Sequence, residues 1–154
     1  MFDLKRQAEL RAAIEHFFFA YRAFTRGPDR ILEQRGLGRV HHRVLYFVGR
    51  HPGIAVNALL DLLGVTKQAL NVPLRQLTEM NLVAIATPAH DRRFRELRLT
   101  AEGTRLEAQL TGTQMKQLDG VFAAIGAQHE SGWRAAMERL AGSRSGMRRS
   151  RATP

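Results

Sequence analysis

The residues between Gln68 and Arg75 combine amide, apolar and guanidinium side chains on one predicted helix face. The face consists of Gln68, Asn71, Val72 and Arg75. Asn and Gln can form two hydrogen bonds with adenine in the major groove of DNA, and Val72 would suit the methyl group of thymine. A helix face that only provides solubility is usually rich in Glu and Lys. The spacing therefore predicts a surface that reads DNA bases, with an ordinary solvent-exposed helix as the alternative.

The opposite face of the same helix, predicted over residues 66–80, is an apolar stripe. Its members recur at i, i+3, i+4 and i+7 and are Leu70, Pro73, Leu74 and Leu77. This spacing predicts that the stripe packs against a core. Pro73 lacks the backbone N–H that would bond to the carbonyl of Ala69, at a cost of about 3 kcal/mol. We expect either a kink at this position or two shorter helical pieces.

The segment before this helix predicts a tight corner between two helices. Apolar residues favour a first helix over residues 56–63. Gly64 can take the left-handed conformation that ends a helix, and the hydroxyl of Thr66 can cap the next one. The segment therefore predicts a helix-turn-helix corner.

A hairpin of two strands is predicted after the second helix, over residues 82–85 and 95–99. Apolar residues alternate along both strands, so each strand is expected to have one buried face. The apolar positions expected to oppose one another are Val83, Ile85, Leu97 and Leu99.

The loop of this hairpin carries positive charge at Arg92 and Arg93. Arg93 would reach the minor groove, where an arginine senses groove width and potential and favours A·T-rich DNA. The carboxylate of Asp91, two residues earlier, can hold that guanidinium through a charge-assisted contact. Taken alone, an exposed basic hairpin with no partner is an equal alternative.

The order and spacing of these parts resemble the multiple-antibiotic-resistance regulator (MarR) family of bacterial winged helix-turn-helix repressors. The resemblance spans about residues 32–106, and its most specific pieces are Asp91-Arg92-Arg93 and Leu99-Thr100-Ala101-Glu102-Gly103. It implies that Arg93 enters the minor groove with Asp91 as its orienting partner. The chain departs from the pattern at Leu60 and Phe94, where small residues are common.

The predicted fold is mainly α with a small β-hairpin wing, in a single domain over residues 1–142. The winged helix-turn-helix occupies about residues 38–100, and helices at about 3–26 and 101–142 flank it. The resemblance implies that these terminal helices interlock in a homodimer, whose two recognition helices then meet an inverted repeat. Folding back within one monomer is the alternative. The apolar residues of the ends are Leu10, Ile14, Phe17, Phe18, Tyr21, Phe24, Phe122, Ile125, Trp133, Met137 and Leu140.

The charge composition of the chain indicates what kind of partner it could bind. The 24 basic and 14 acidic residues give a net charge of +10, which favours a polyanionic partner. Part of this excess lies in a tail at residues 143–154, predicted to be loose and either DNA-contacting or merely solvated. Its basic residues are Arg144, Arg148, Arg149 and Arg151.

Other classes of protein lack support in the sequence. The absence of cysteine excludes disulfides, thiolate metal sites and cysteine-based peroxide sensing. No phosphate-binding glycine loop, activated nucleophile or pair of catalytic carboxylates is evident, so we expect neither an enzyme nor a cofactor. No signal peptide or long apolar segment is evident, so we expect a cytoplasmic protein without a membrane partner.

Two adjacent histidines, His41 and His42, do not predict a metal site, because neighbouring helix positions point about 100° apart. The resemblance implies instead that a small aromatic or phenolic effector binds between the dimer helices and the reading domain. Ordinary core packing of these side chains is the alternative. The residues concerned are Phe18, Tyr21, Arg22, His41 and His42.

The sequence thus predicts a sequence-specific transcriptional regulator of double-stranded DNA, a homodimeric repressor of an inverted-repeat operator. The alternative is a basic architectural or adaptor protein that uses the winged fold to bind DNA non-specifically. The predicted DNA-binding residues are Thr66, Lys67, Gln68, Asn71, Val72, Arg75, Asp91, Arg92 and Arg93.

Overall fold

The computed structural model describes residues 1–142, so the predicted basic tail lies outside the described residues. Helices dominate, and three short strands form one antiparallel sheet, which confirms the predicted fold class. The elements are α1 (Leu4–Glu33), α2 (Arg39–Arg50), β1 (Ile54–Ala55), α3 (Val56–Leu63), α4 (Lys67–Glu79), β2 (Val83–Ala86), β3 (Glu96–Leu99), α5 (Ala101–Ile125) and α6 (Ala127–Ala141). The chain divides into two compact units, Met1–Gln114 and a second that begins at Met115.

The corner between α3 and α4 forms as the sequence predicts. Helix α3 ends at Gly64, whose φ of 65° is the left-handed conformation that favours glycine. The side-chain oxygen of Thr66 accepts a hydrogen bond of 3.1 Å from the backbone N–H of Ala69 and so caps α4. These two local signals fix where one helix stops and the next begins.

Helix α4 is one continuous helix that contains Pro73. The alternative of two shorter pieces is therefore wrong. Packing compensates for the backbone bond that proline removes, because the whole predicted apolar stripe is buried in the core. The buried residues are Leu70, Pro73, Leu74 and Leu77.

The sheet has the strand order β1-β3-β2, with every pair antiparallel. Residues Val83 and Ile85 pair with Leu99 and Leu97, which is the predicted opposition. The expectation that Ile85 is buried is wrong. Val83 is 2% exposed and Ile85 is 38% exposed. The partner of Ile85, Leu97, is fully buried on the central strand β3, whereas Ile85 lies on β2 at the edge of the sheet. The two-residue strand β1 was not predicted, since it is too short to show an alternating pattern.

A clasp at the start of α5 explains the Leu-Thr-x-x-Gly segment. The hydroxyl of Thr100 donates to the carbonyl of Asn81 (2.7 Å) and accepts from the N–H of Gly103 (3.0 Å). The backbone passes so closely that a Cβ added to Gly103 would lie 1.9 Å from the carbonyl oxygen of Leu82. Only glycine fits this crossing, which ties α5 to the residue that precedes β2.

The N-terminal helix is longer than predicted. Helix α1 runs to Glu33 rather than ending at about residue 26, with Pro28 inside it and buried. The C-terminal region consists of two helices, because Gly126, at a φ of 86°, separates α5, which ends at Ile125, from α6. Within residues 1–142, no helix is both long enough and apolar enough to cross a membrane.

Candidate nucleic-acid interface

The predicted reading face of α4 is exposed along its length. The opposite stripe of α4 is buried in the core, so this face remains exposed. Its members are Gln68, Asn71, Val72 and Arg75. The Nε atom of Arg75 lies 3.9 Å from Oε1 of Glu79, and both side chains are well exposed. Such a surface pair is weak, so it does not hold the guanidinium of Arg75 back from another anion.

The tip of the wing holds Arg93 in one orientation. The carboxylate of Asp91 accepts hydrogen bonds from the backbone N–H (3.0 Å), Nε (3.1 Å) and Nη2 (3.1 Å) of Arg93. The side-chain hydrogen bond and then the backbone hydrogen bond from Arg93 lower the pKa of Asp91, so this carboxylate keeps its charge. The side chain of Arg93 is 88% exposed, which presents an oriented cation to the solvent. The contact between these residues is the one that their spacing predicted.

A groove of about 820 Å³ separates α4 from the hairpin. Among the lining residues, which all belong to the described part of the chain, five are cationic and none is acidic. The structure therefore brings the basic residues of the helix and of the wing to one surface. Five of the predicted DNA-binding residues line this groove, namely Lys67, Asn71, Arg75, Arg92 and Arg93.

The remaining predicted residues have other positions. Thr66 caps α4 through its hydroxyl, Gln68 and Val72 lie on the exposed face of α4, and Asp91 orients Arg93. Sequence reasoning missed several residues of the groove wall. The groove-lining residues that were missed are Ala55, Val56, Asn57, Leu74, Thr78, Ile85, Phe94 and Arg95. Phe94 and Arg95 directly follow the tip, and their proximity to Arg93 was a signal that could have found them.

His41 connects the reading helix to α2. Its ring is buried, Nδ1 accepts a 2.9 Å hydrogen bond from the N–H of Gly38, and Nε2 lies 2.7 Å from Oε1 of Gln76. Because Nδ1 is an acceptor, the proton of the neutral ring is on Nε2, which donates to Gln76. This link helps to set the position of α4 on the core.

His42 faces α5 instead. Its Nε2 lies 3.2 Å from the hydroxyl of Thr111, which itself donates to the carboxylate of Glu107 at 2.8 Å. Burial lowers the pKa of His42, although Glu107 acts in the opposite direction. The two histidines therefore serve different contacts, which agrees with the expectation that they do not chelate one ion.

The residues predicted to bind an effector make contacts with different elements. Tyr21 lies against α2, where its hydroxyl accepts from Nη2 of Arg43 (3.0 Å) and Arg39 stacks 5.7 Å from its ring centroid. The hydrogen bond with Asp29 raises the pKa of Arg39. On exposed α1, the guanidinium of Arg22 lies 5.9 Å from the ring centroid of Phe18. His42 lies on α2 beside α5, whereas the ring of His41 is directed to α4.

Known proteins share this sequence pattern. Residues 35–93 match the model of the MarR family. The chain is 44% identical over 132 residues to the HTH-type transcriptional regulator PetP of Rhodobacter capsulatus, which covers 86% of this chain and 80% of PetP. The chain belongs to the MarR family.

MarR-family proteins are DNA-binding transcriptional regulators and not enzymes. The fold of this MarR-family chain also matches solved structures of lower identity. One is the S. aureus MepR–DNA complex, with a TM-score of 0.67, 19% identity, and coverage of 82% of this chain and 94% of MepR. Another is NadR in complex with 4-hydroxyphenylacetate, with a TM-score of 0.68, 21% identity, and coverage of 81% and 89%. These likenesses confirm the winged helix-turn-helix architecture.

Proposed function

We propose that this MarR-family regulator is a homodimeric repressor that binds an inverted-repeat operator in double-stranded DNA. The observation that carries the proposal is the shared groove, where Asn71 of the exposed reading face and Arg93 of the oriented wing tip line one basic surface. A helix in the major groove and an arginine in the adjacent minor groove need this juxtaposition.

The proposed contacts divide into readers and phosphate binders. Gln68 and Asn71 read base edges, and Arg75 reads or clamps the major groove. Lys67 and Arg92 neutralise phosphates, which position the protein without reading sequence. The first turn of α4 carries no acidic residue, so the positive end of the helix dipole is also available to a phosphate.

Dimerisation is assigned to α1, α5 and α6. Large apolar side chains lie exposed along the N-terminal part of α1, and a monomer would leave that area in water. A two-fold axis would place the two α4 helices about one turn of B-DNA apart, which matches an inverted repeat. MepR, a protein of the same fold, has been solved in complex with DNA.

A small aromatic or phenolic acid is the proposed effector. The exposed surface at Phe18, Tyr21 and Arg22 offers aromatic faces and a cation, and His41 and His42 lie on α2. NadR was solved with 4-hydroxyphenylacetate, a ligand of this chemical class. An effector would relieve repression only if it bound more tightly to a dimer whose α4 spacing no longer fits DNA.

Two substitutions test whether α4 reads sequence. Asn71→Ala is expected to weaken binding to the operator by about 1–3 kcal/mol, because a base contact is lost, and to leave random duplex DNA nearly unaffected. Arg92→Ala, the matched phosphate variant, should weaken binding to both and reduce the salt slope of log K by about one. Titrations of each variant against both DNAs over a series of salt concentrations provide the measurement. Equal losses on both DNAs from Asn71→Ala would support the architectural alternative.

A further inference from the structure

The wing groove also has an apolar component that phosphate contacts do not explain. Phe94 is 51% exposed and lines the groove together with Ile85. Val56 and Leu74 continue this apolar surface. A single exposed aromatic is ordinary on a protein surface, but this one lies among five cations within a groove. The groove therefore combines positive charge with apolar surface.

The turn that orients Arg93 also places Phe94. Asp91 accepts from Arg93 through its carboxylate, and its backbone carbonyl accepts a 3.4 Å hydrogen bond from the N–H of Phe94. Ile85 lies on the edge strand β2 and is 38% exposed. The backbone of Phe94 is thus held by the same residue that holds the wing arginine.

The geometry of duplex DNA identifies what fits such a groove. One sugar–phosphate strand separates the major groove from the adjacent minor groove. If α4 enters one and Arg93 the other, that strand must pass through the space between α4 and the wing. A DNA strand alternates anionic phosphates with deoxyribose rings whose faces are largely apolar. Charge and polarity of the groove are complementary to both parts of this repeat.

We propose that Phe94, supported by Ile85, packs against deoxyribose rings of the strand between α4 and the wing. Lys67, Arg92 and Arg95 bind the phosphates that flank those sugars. This assignment rests on the proposed DNA-binding function and adds a contact that the charged residues do not supply. The sugar contact is independent of base sequence and releases no counterions, so it contributes affinity without salt dependence.

Phe94→Ala tests the proposal directly. The dissociation constants for operator and random duplex should both rise about tenfold, as expected for loss of a partly buried aromatic contact. The salt slope of log K should not change, because no charge is removed. Phe94→Leu should lose less affinity, since it retains apolar surface. Fluorescence anisotropy over a series of salt concentrations measures both quantities.

Arg95→Ala is the matched control, because Arg95 is adjacent in sequence and lines the same groove. It should reduce the salt slope by about one, unlike Phe94→Ala. Thermal unfolding of each variant checks that the half-exposed side chain is not needed for folding. Unchanged or tighter binding by Phe94→Ala, a loss confined to the operator, or a reduced salt slope would overturn the sugar contact. Failure of the unmodified protein to bind any duplex would instead overturn the proposed function, and the sugar contact with it.

Discussion

The core of the reading domain and the N-terminal part of α1 differ in what covers their apolar side chains. Leu32, Leu59 and Leu97 are completely buried by their own chain. Ile14 and Phe17 are 69% and 51% exposed, although they lie on a long, well-formed helix. The chain itself completes one region, whereas the apolar side chains of the other are the ones that the proposed dimer would cover.

The largest expected loss of stability comes from a substitution in the clasp at the start of α5. Gly103→Ala should lower the free energy of unfolding by more than about 3 kcal/mol, because the new methyl group meets a backbone carbonyl that cannot rotate away. Chemical denaturation measures the change. Gly112→Ala on the same helix is the control, since nothing lies within 4 Å of its added Cβ. Alanine there should stabilise by about 0.5–1 kcal/mol through its helix propensity. Similar behaviour of the two variants would contradict the close crossing.

A second pair of substitutions tests the comparison between the two regions. Leu59→Ala should cost about 3 kcal/mol at every protein concentration, because it leaves a cavity inside one chain. Phe17→Ser should leave the monomer intact but weaken association, so its dimer should dissociate at a higher protein concentration and its melting temperature should rise less with concentration than that of the unmodified protein. Sedimentation and thermal unfolding over a series of dilutions measure both. A dimer unaffected by Phe17→Ser would remove α1 from the interface.

The smallest effect concerns pH and the contact of His42 with α5. Burial lowers the pKa of His42 below its ordinary value of 6.5, so the folded protein binds fewer protons than the unfolded chain at mildly acidic pH. Its contribution to stability is therefore present above about pH 6.5 and is lost as the pH falls toward the folded pKa. His42→Gln should lose less stability than the unmodified protein between pH 7.5 and pH 5.5 in thermal unfolding. Identical losses would show that the ring is not protected from protonation.

Local signals made much of the reading helix predictable. The two faces of α4 follow from spacing alone, and Gly64 and Thr66 mark the corner through backbone conformation and capping. The Asp91–Arg93 contact was likewise predictable, because two residues in one turn can reach each other without help from the rest of the fold.

Features that depend on distant parts of the chain were not predictable in this way. The exposure of Ile85 depends on the position of β2 at the edge of the sheet, which alternation along a strand does not report. The link from His41 to Gln76 joins residues on two helices, and neither position carries a signal of its partner. The continuity of α4 through Pro73 likewise depends on packing that offsets a lost backbone bond.

The proposed dimer recognises an inverted repeat through its two reading helices. Selection of bound fragments from a pool of random duplexes, followed by sequencing, tests this claim most directly. A palindromic site whose half-site centres lie about one helical turn apart, roughly 10 base pairs, should be enriched. A pool that stays featureless after selection, although the protein binds it, would contradict the claim.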